Sequence, residues 1–264
     1  MLRERACRTV VCVCGILFLV LWFWNPTLSK DPLVQDLLRP MISRILGSII
    51  FGALLLFVGN RVWSRIRWRH LAVFLPALLI AVNNFPFIAL ISGSAVLTRG
   101  ELLPLLILDC LLIGIFEEFA FRGTLFLGIL SKHCKTRRQI LLTTVICSAV
   151  FGLVHFANLL ENAGFGATLL QVGYSFLIGG MCSIVLLRTG NLFYCVILHA
   201  VYDFGGRILL IGEGARWDSV TVSLTVVLSI LVSVWMLWML LRTTPEDAKR
   251  FFSKKGEDPS NEHY

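Results

Sequence analysis

Three groups of polar residues stand inside otherwise apolar stretches, and they are of the kinds that move protons. The first is Glu117, Glu118 and Arg122; the second is His155, four residues after Phe151; the third is His199 with Asp203. A carboxylate or imidazole can take a proton from water, and further donors can steady the oxyanion formed when that water attacks a carbonyl. Glu118 and Arg122 are four apart, acid first, so on a helix they share a face and neutralise each other. Glu117 is turned about 100° away on such a helix and is left for another partner. A purely structural ion pair would leave Glu117 buried and unpaired, which is costly. His199 and Asp203 also share a face, and Asp203 can orient the imidazole as carboxylates do beside metal-bound histidines. A lone histidine near a helix end, such as His155, is more often structural; its weight comes from the other two groups.

The elements that must position these residues are membrane helices. The 264-residue chain is 57% hydrophobic with mean hydropathy +0.81, against about 45–50% for soluble domains. Its apolar residues come in blocks of about 18–25, long enough to cross a bilayer as helices. An ionised group at the centre of such a helix costs about 2.5–3.5 kcal/mol, so charges there are functional candidates. The net charge of +8 reads as topology, not as nucleic-acid binding, because no soluble basic domain exists to hold nucleic acid. The eight cysteines lie mostly in apolar segments without a C-x-x-C, which argues for small buried hydrophobes and against a disulfide framework or a zinc–cysteine site.

The pattern predicts an all-α fold, a polytopic membrane helix bundle of about eight transmembrane helices. Expected spans are Thr9 to Trp24, Ile42 to Val58, Leu71 to Ile91, Leu102 to Leu130, Ile140 to Phe156, Gly166 to Leu187, Leu192 to Ile211 and Val220 to Leu241. Leu28 to Arg44 reads as an interfacial amphipathic piece. Asn83-Asn84-Phe85-Pro86 and Pro76 read as proline kinks, and Gly173, Gly179, Gly180 and Ser183 as a close-packing face. Arg188 to Asn191 reads as a tight turn and Arg242 to Tyr264 as a disordered tail. Of the 24 Lys and Arg, 17 fall in one set of alternating segments and five in the other, with Arg122 and Arg207 inside spans. That bias puts both termini in the cytoplasm. Residues 1–101 are then N-terminal membrane helices with the interfacial segment, 102–211 a catalytic helix core, 212–241 the last membrane helix and 242–264 a cytoplasmic tail. Counting along ideal helices puts Glu117 roughly 21 Å from Ser131, His199 roughly 12 Å from Asn191 and His155 roughly 24 Å from Gln139; these depths do not coincide. Asp109, two turns before Glu117, reads as peripheral.

The motifs E-E-x-x-x-R at Glu117 to Arg122, F-x-x-x-H at Phe151 to His155 and H-x-x-x-[ND] at His199 to Asp203 resemble the CPBP group. That group contains the type II CAAX prenyl endopeptidases and the bacteriocin-processing and Abi-type proteins. The resemblance covers about Leu102 to Ile211. It implies an intramembrane endopeptidase that cuts by activated water, approached by substrate from the cytoplasmic side. Carried onto this chain, Glu117 is the general base, His155 helps hold the water, and His199 and Asp203 hold the scissile carbonyl or its oxyanion. Glu118 and Arg122 are structural or positioning residues. Prenyl-protease members have asparagine where this chain has Asp203. An ionised aspartate cannot donate to an oxyanion, so Asp203 is protonated, orients His199, or helps hold a metal.

The family has been described as both metal-dependent and glutamate-dependent. Glu117, His155 and His199 could bind Zn²⁺ with one open position; the reading leans to metal-free catalysis. The implied partners are the bilayer and a membrane-embedded or lipidated peptide or protein substrate. The compact length, lack of an organelle signal and basic tail point to a bacterial cell membrane. Two alternatives remain. A proton- or ion-coupled transporter would use Glu117, His155 and His199 as a relay. A catalytically silent, immunity-type protein of the same fold would tolerate Glu117→Gln.

Overall fold

The computed structural model describes residues 16, 20, 26–58, 61–161, 164–214 and 219–252. Helix α1 (Pro32–Val58) starts where the Asp31 carboxylate accepts from the backbone N–H groups of Leu33 and Val34, with proline in the first turn, a favoured way to begin a helix. The Arg99 guanidinium, 2.8 Å away, holds the Asp31 carboxyl below its usual range. Because that cap sets the start, Leu28 to Arg44 is not a separate interfacial piece: from Pro32 on it is the first half of α1, unbroken at Pro40.

Helix α2 (Leu71–Asn83) stops at a turn through Asn84, Phe85 and Pro86, and the short α3 (Phe87–Ile91) follows. This is a break, not the expected kink. Asn83 donates to Thr225 at 2.8 Å and Asn84 donates to the Tyr202 carbonyl at 2.7 Å, so the interrupted chain is tied to two other helices. Strand β1 (Ala95–Val96) pairs antiparallel with β2 (Glu213–Gly214). Helix α4 (Leu103–Glu118) runs on through a π-helical stretch (Phe119–Phe126) and a final turn (Leu127–Leu130). Helix α5 (Arg137–Leu153) starts at a Thr136/Gln139 capping box and ends in a 3₁₀ segment, Val154–Glu161. Then come α6 (Phe165–Thr189), α7 (Leu192–Arg207), α8 (Ser219–Leu241) and the short α9 (Pro245–Lys249).

Helices occupy seven of the eight expected spans; Thr9 to Trp24 falls almost wholly outside the described residues. Among the described residues, five helical segments are long and apolar enough to cross a membrane: Pro32–Val58, Arg137–Leu160, Phe165–Thr189, Leu192–Ile211 and Ser219–Leu241. Their outer faces are apolar. On α8, Leu224, Val227, Ile230, Leu231 and Val234 are all exposed, a surface suited to lipid and not to water. The chain is an integral, multi-pass membrane protein.

The two ends of the bundle differ. At the end with the basic loops the interior is solid, packed with Phe126, Leu127, Leu130, Leu186, Leu187, Leu192 and Phe251. There the turn between α6 and α7 is recessed. Thr189 is 1% exposed and Asn191 6%, Gly190 takes the left-handed φ of +67°, and Asn191 caps α7. The segment after α1 lies over this turn: Ser64 N–H donates to the Gly190 carbonyl, and Leu192 N–H to that of Val62. Depths counted from Asn191 therefore start from a covered turn and not from an exposed loop. Helix α5 begins three residues before its expected start, so the mismatch does not come from that helix beginning later.

The expected disordered tail is folded in its first part. Thr244 and Asp247 form a capping box, α9 follows, and Phe251 is fully buried against the core; only 253–264 fall outside the described residues. The expected close-packing face on α6 holds in part. A Cβ at Gly179 would lie 3.1 Å from Phe151, whereas Gly173 faces open space.

Candidate active site

Helices α4 and α7 are antiparallel neighbours in close contact. A Cβ at Gly114 would sit 2.8 Å from the Val196 carbonyl oxygen, so only glycine lets the backbones approach this far. That approach brings the first and third polar groups together. Glu118, fully buried, is the hub: its Oε1 accepts from Arg122 Nη1 at 2.9 Å and from His199 Nδ1 at 2.7 Å. With Oε1 as the acceptor, the Nδ1 proton of His199 points at it. The expected Glu118–Arg122 pair is present. The carboxylate that orients His199, however, is Glu118 and not Asp203, whose Oδ2 stands 3.8 Å from His199 Nε2, beyond hydrogen-bond range.

Glu117 points elsewhere. Its Oε2 is buried without a hydrogen-bond partner among the described residues and lies 3.5 Å from His199 Nε2. The π-helical stretch begins one residue after Glu118; such local widening is frequent at functional sites. Thr124 uses it to donate to the Phe119 carbonyl at 3.0 Å.

The second polar group joins through Phe151. The Phe151 ring is 2% exposed and stands edge-on to both His155 and His199, with centroids 5.2 and 5.8 Å away; the Arg122 guanidinium lies 4.2 Å from its centroid. The Phe151 carbonyl accepts from His155 Nδ1 at 2.9 Å, leaving Nε2 as an acceptor in the neutral ring. Phe151 entered the motif with no role assigned; the structure makes it the spacer that sets Arg122, His155 and His199 apart. The cation–π contact occupies Arg122, whose Nη2 has no hydrogen-bond partner among the described residues.

A cavity of about 1010 Å³ opens beside this cluster, lined by Glu117, His155, His199 and Asp203 together with residues of α1, α6 and α8. It fills the half of the bundle away from the basic loops: Pro40 and Arg44 come from the early part of α1, Ala167 and Gln171 from the early part of α6. Asn83 and Asn84 also line it, so the broken end of α2 is cavity wall.

Asp109 is not peripheral. It is fully buried and forms ion pairs with Arg44 of α1 and with Arg207 of α7, the latter at 2.7 Å. Arg207 follows Asp203 by four residues, as Asp203 follows His199. That spacing could have shown the cluster in the sequence; the partnership with Arg44, 65 residues before Asp109, could not.

The family's metal-dependent description was tested against the side chains present. Among the described residues, the acid, imidazole and thiol groups whose ligand atoms gather are Glu118, Cys182 and Cys195. Glu117, His155 and His199 do not gather as such a set. At the set that does, Glu118 Oε1 already serves Arg122 and His199, and the adjacent guanidinium opposes a second cation. The arrangement does not fit a resident metal. The five described cysteines, Cys110, Cys134, Cys147, Cys182 and Cys195, are all free and buried.

Fold and site define a multi-pass membrane protein with a buried acid–imidazole centre beside a large cavity. Residues 99–205 match the model of the family described as type II CAAX prenyl endopeptidase, Rce1-like. The match spans all three motifs. It supports an intramembrane, CAAX-protease-like endopeptidase and does not favour a transporter or a silent immunity-type protein. No curated protein and no solved structure matches the chain.

Proposed function

We propose that this chain hydrolyses a peptide bond in a membrane-embedded or lipidated protein, using water activated by Glu117. The carrying observation is the buried, unpartnered Oε2 of Glu117 on a cavity wall shared with His155 and His199. Water held between Glu117 and His155 Nε2 gives its proton to Glu117 and attacks the scissile carbonyl carbon. The oxyanion is met by Nε2–H of His199 in its imidazolium form, which donates from both nitrogens and whose Nδ1 is anchored on Glu118. Glu117 then passes the proton to the leaving amine as the C–N bond breaks. Arg122 holds Glu118 in place. Asp203, 3.8 Å from His199 Nε2, stands beside the donor and is not itself the oxyanion donor.

The apolar part of the substrate lies on the opposite wall, formed by Leu170 and Leu177 of α6 and Val222, Val232 and Met236 of α8. With the basic loops cytoplasmic, a cavity in the other half of the bundle is approached from the non-cytoplasmic side. This departs from the cytoplasmic approach implied by the resemblance. Labelling of Ala167→Cys by a membrane-impermeant thiol reagent in oriented vesicles should occur from the non-cytoplasmic face; labelling from the cytoplasmic face alone would reverse that assignment.

The chemistry is tested by proteolysis in reconstituted vesicles, comparing wild type with Glu117→Ala and His155→Ala, with and without chelator. Both variants should lose cleavage and chelation should leave the wild type active. Cleavage that survives Glu117→Ala would overturn the mechanism.

A further inference from the structure

The Arg44–Asp109–Arg207 cluster has more positive charge than its own structure requires. One guanidinium suffices to neutralise a buried carboxylate, yet Asp109 holds two, from two different helices. Asp109 is fully buried, while the arginine side chains are 20% and 25% exposed and line the same cavity as Glu117 and His199. A guanidinium has five donors in a planar fork suited to a carboxylate. Among the described residues, Asp109 is the only carboxylate paired with either one. The other acids on the cavity wall are Asp36, two turns from Arg44 on α1, and Glu117 and Asp203, which face His199.

Spacing says what these arginines meet. His199 and Arg207 are eight residues apart on α7, roughly 12 Å along the helix axis. Glu117 and Asp109 are eight apart on α4, which runs the other way, and give the same roughly 12 Å. The protein thus carries two polar layers at that separation on one cavity. An extended peptide advances about 3.3 Å per residue, so the gap spans three to four substrate residues. Arg44 and Arg207 lie outside the segment that matches the family, residues 99–205.

We infer that Arg44 and Arg207, held in place by Asp109, form a carboxylate clamp that reads an anionic group three to four residues beyond the scissile bond. The ligand is a carboxylate, from a free substrate C-terminus or from an acidic side chain at that position. The inference rests on the endopeptidase reading for its register. In the clamp, Asp109 is a positioning residue, and the arginines determine specificity by touching substrate.

The test uses a farnesylated peptide ending three residues past its cysteine, as free acid, as C-terminal amide, and as an amide with Glu at the last position. Wild type should cleave the free acid with about tenfold to a hundredfold higher kcat/KM than the amide, the range of a charge-assisted pair. In Arg207→Gln that preference should fall to within about threefold, and Arg207→Lys should recover part of it. The Glu-bearing amide separates the sources: cleavage like the free acid's assigns the clamp to any carboxylate, cleavage like the plain amide's to the chain terminus. Because the preference is a ratio within one protein, a variant that folds less well does not change it. Binding of the acid and amide peptides to the Glu117→Gln chain reads the clamp without catalysis. If wild type cleaves none of the peptides while that binding preference persists and is lost with Arg207→Gln, the endopeptidase reading fails and the clamp stands. Equal binding of acid and amide, or a preference unchanged in Arg207→Gln, overturns the clamp.

Discussion

The two walls of the cavity are built on opposite terms. The wall of α4 and α7 is a tight pair of helices in which Glu117, Glu118, Asp109, His199, Asp203 and Arg207 stand within about four turns of one another, and their ion pairs cross between the helices. The wall of α8 meets the cavity with Val222, Val226, Val232 and Met236, relieved by Thr225, Ser229 and Ser233, and turns bare aliphatic side chains to lipid on its other face. Buried charges are tolerated only where each finds a partner at fixed geometry, so the first wall must be rigid. Apolar groups ask for no such precision, so the second wall can yield to the shape of an apolar substrate. The comparison separates chemistry from accommodation, and each part can be broken on its own.

The largest effect should come from Glu117, whose buried Oε2 has no hydrogen-bond partner among the described residues. Glu117→Gln should lower kcat by about 10²–10⁴, the usual worth of a general base, with little change in thermal unfolding of the detergent-solubilised protein. Glu118→Gln should fail differently. Removing the hub carboxylate strands Arg122 and frees His199, so unfolding should be easier by about 3–5 kcal/mol as well as activity lost. A full-length variant as stable as wild type would show that the hub is not structural.

Next is the approach of the two helices. Gly114→Ala places a methyl group 2.8 Å from the Val196 carbonyl oxygen and should cost about 1–3 kcal/mol, seen as a lower unfolding midpoint. On the yielding wall, Val232→Ala should raise KM severalfold and leave kcat nearly unchanged, as loss of uniform binding does; an equal fall in kcat would mean that α8 also shapes the transition state. The smallest effect belongs to Asp203→Asn. With Glu118 orienting His199, the change should keep activity within about tenfold, and a drop as large as that of Glu117→Gln would give Asp203 a direct chemical role.

The polar wall was largely legible in the sequence because its chemistry clashes with its surroundings. Charges and imidazoles in apolar helices cannot be accidental, and i,i+4 spacing pairs Glu118 with Arg122 without any tertiary information. Asp109 was misread for the opposite reason: it has no partner nearby in sequence, and its arginines come from α1 and the end of α7. Phe151 carried no charge to mark it. The break at Asn83 to Pro86 looked like a kink because the hydrogen bonds that hold it, to Thr225 and Tyr202, join residues more than a hundred positions apart. The tail looked disordered by composition, but its capping box and the buried Phe251 fold its first part back onto the bundle.

By itself the sequence determined that the chain is a helical membrane protein, and which acids and imidazoles are the candidates for its chemistry. Both follow from local properties: apolar block length set against bilayer thickness, and the cost of charge in hydrocarbon. Only the tertiary structure decided that Glu118 and not Asp203 hydrogen-bonds His199, that Glu117 lines the cavity with its Oε2 lacking a hydrogen-bond partner among the described residues, and that Asp109 gathers two arginines from other helices. Those choices depend on which helices touch, at what depth and in which direction, and α4 and α7 touch as closely as they do because Gly114 leaves room for the backbone of its neighbour.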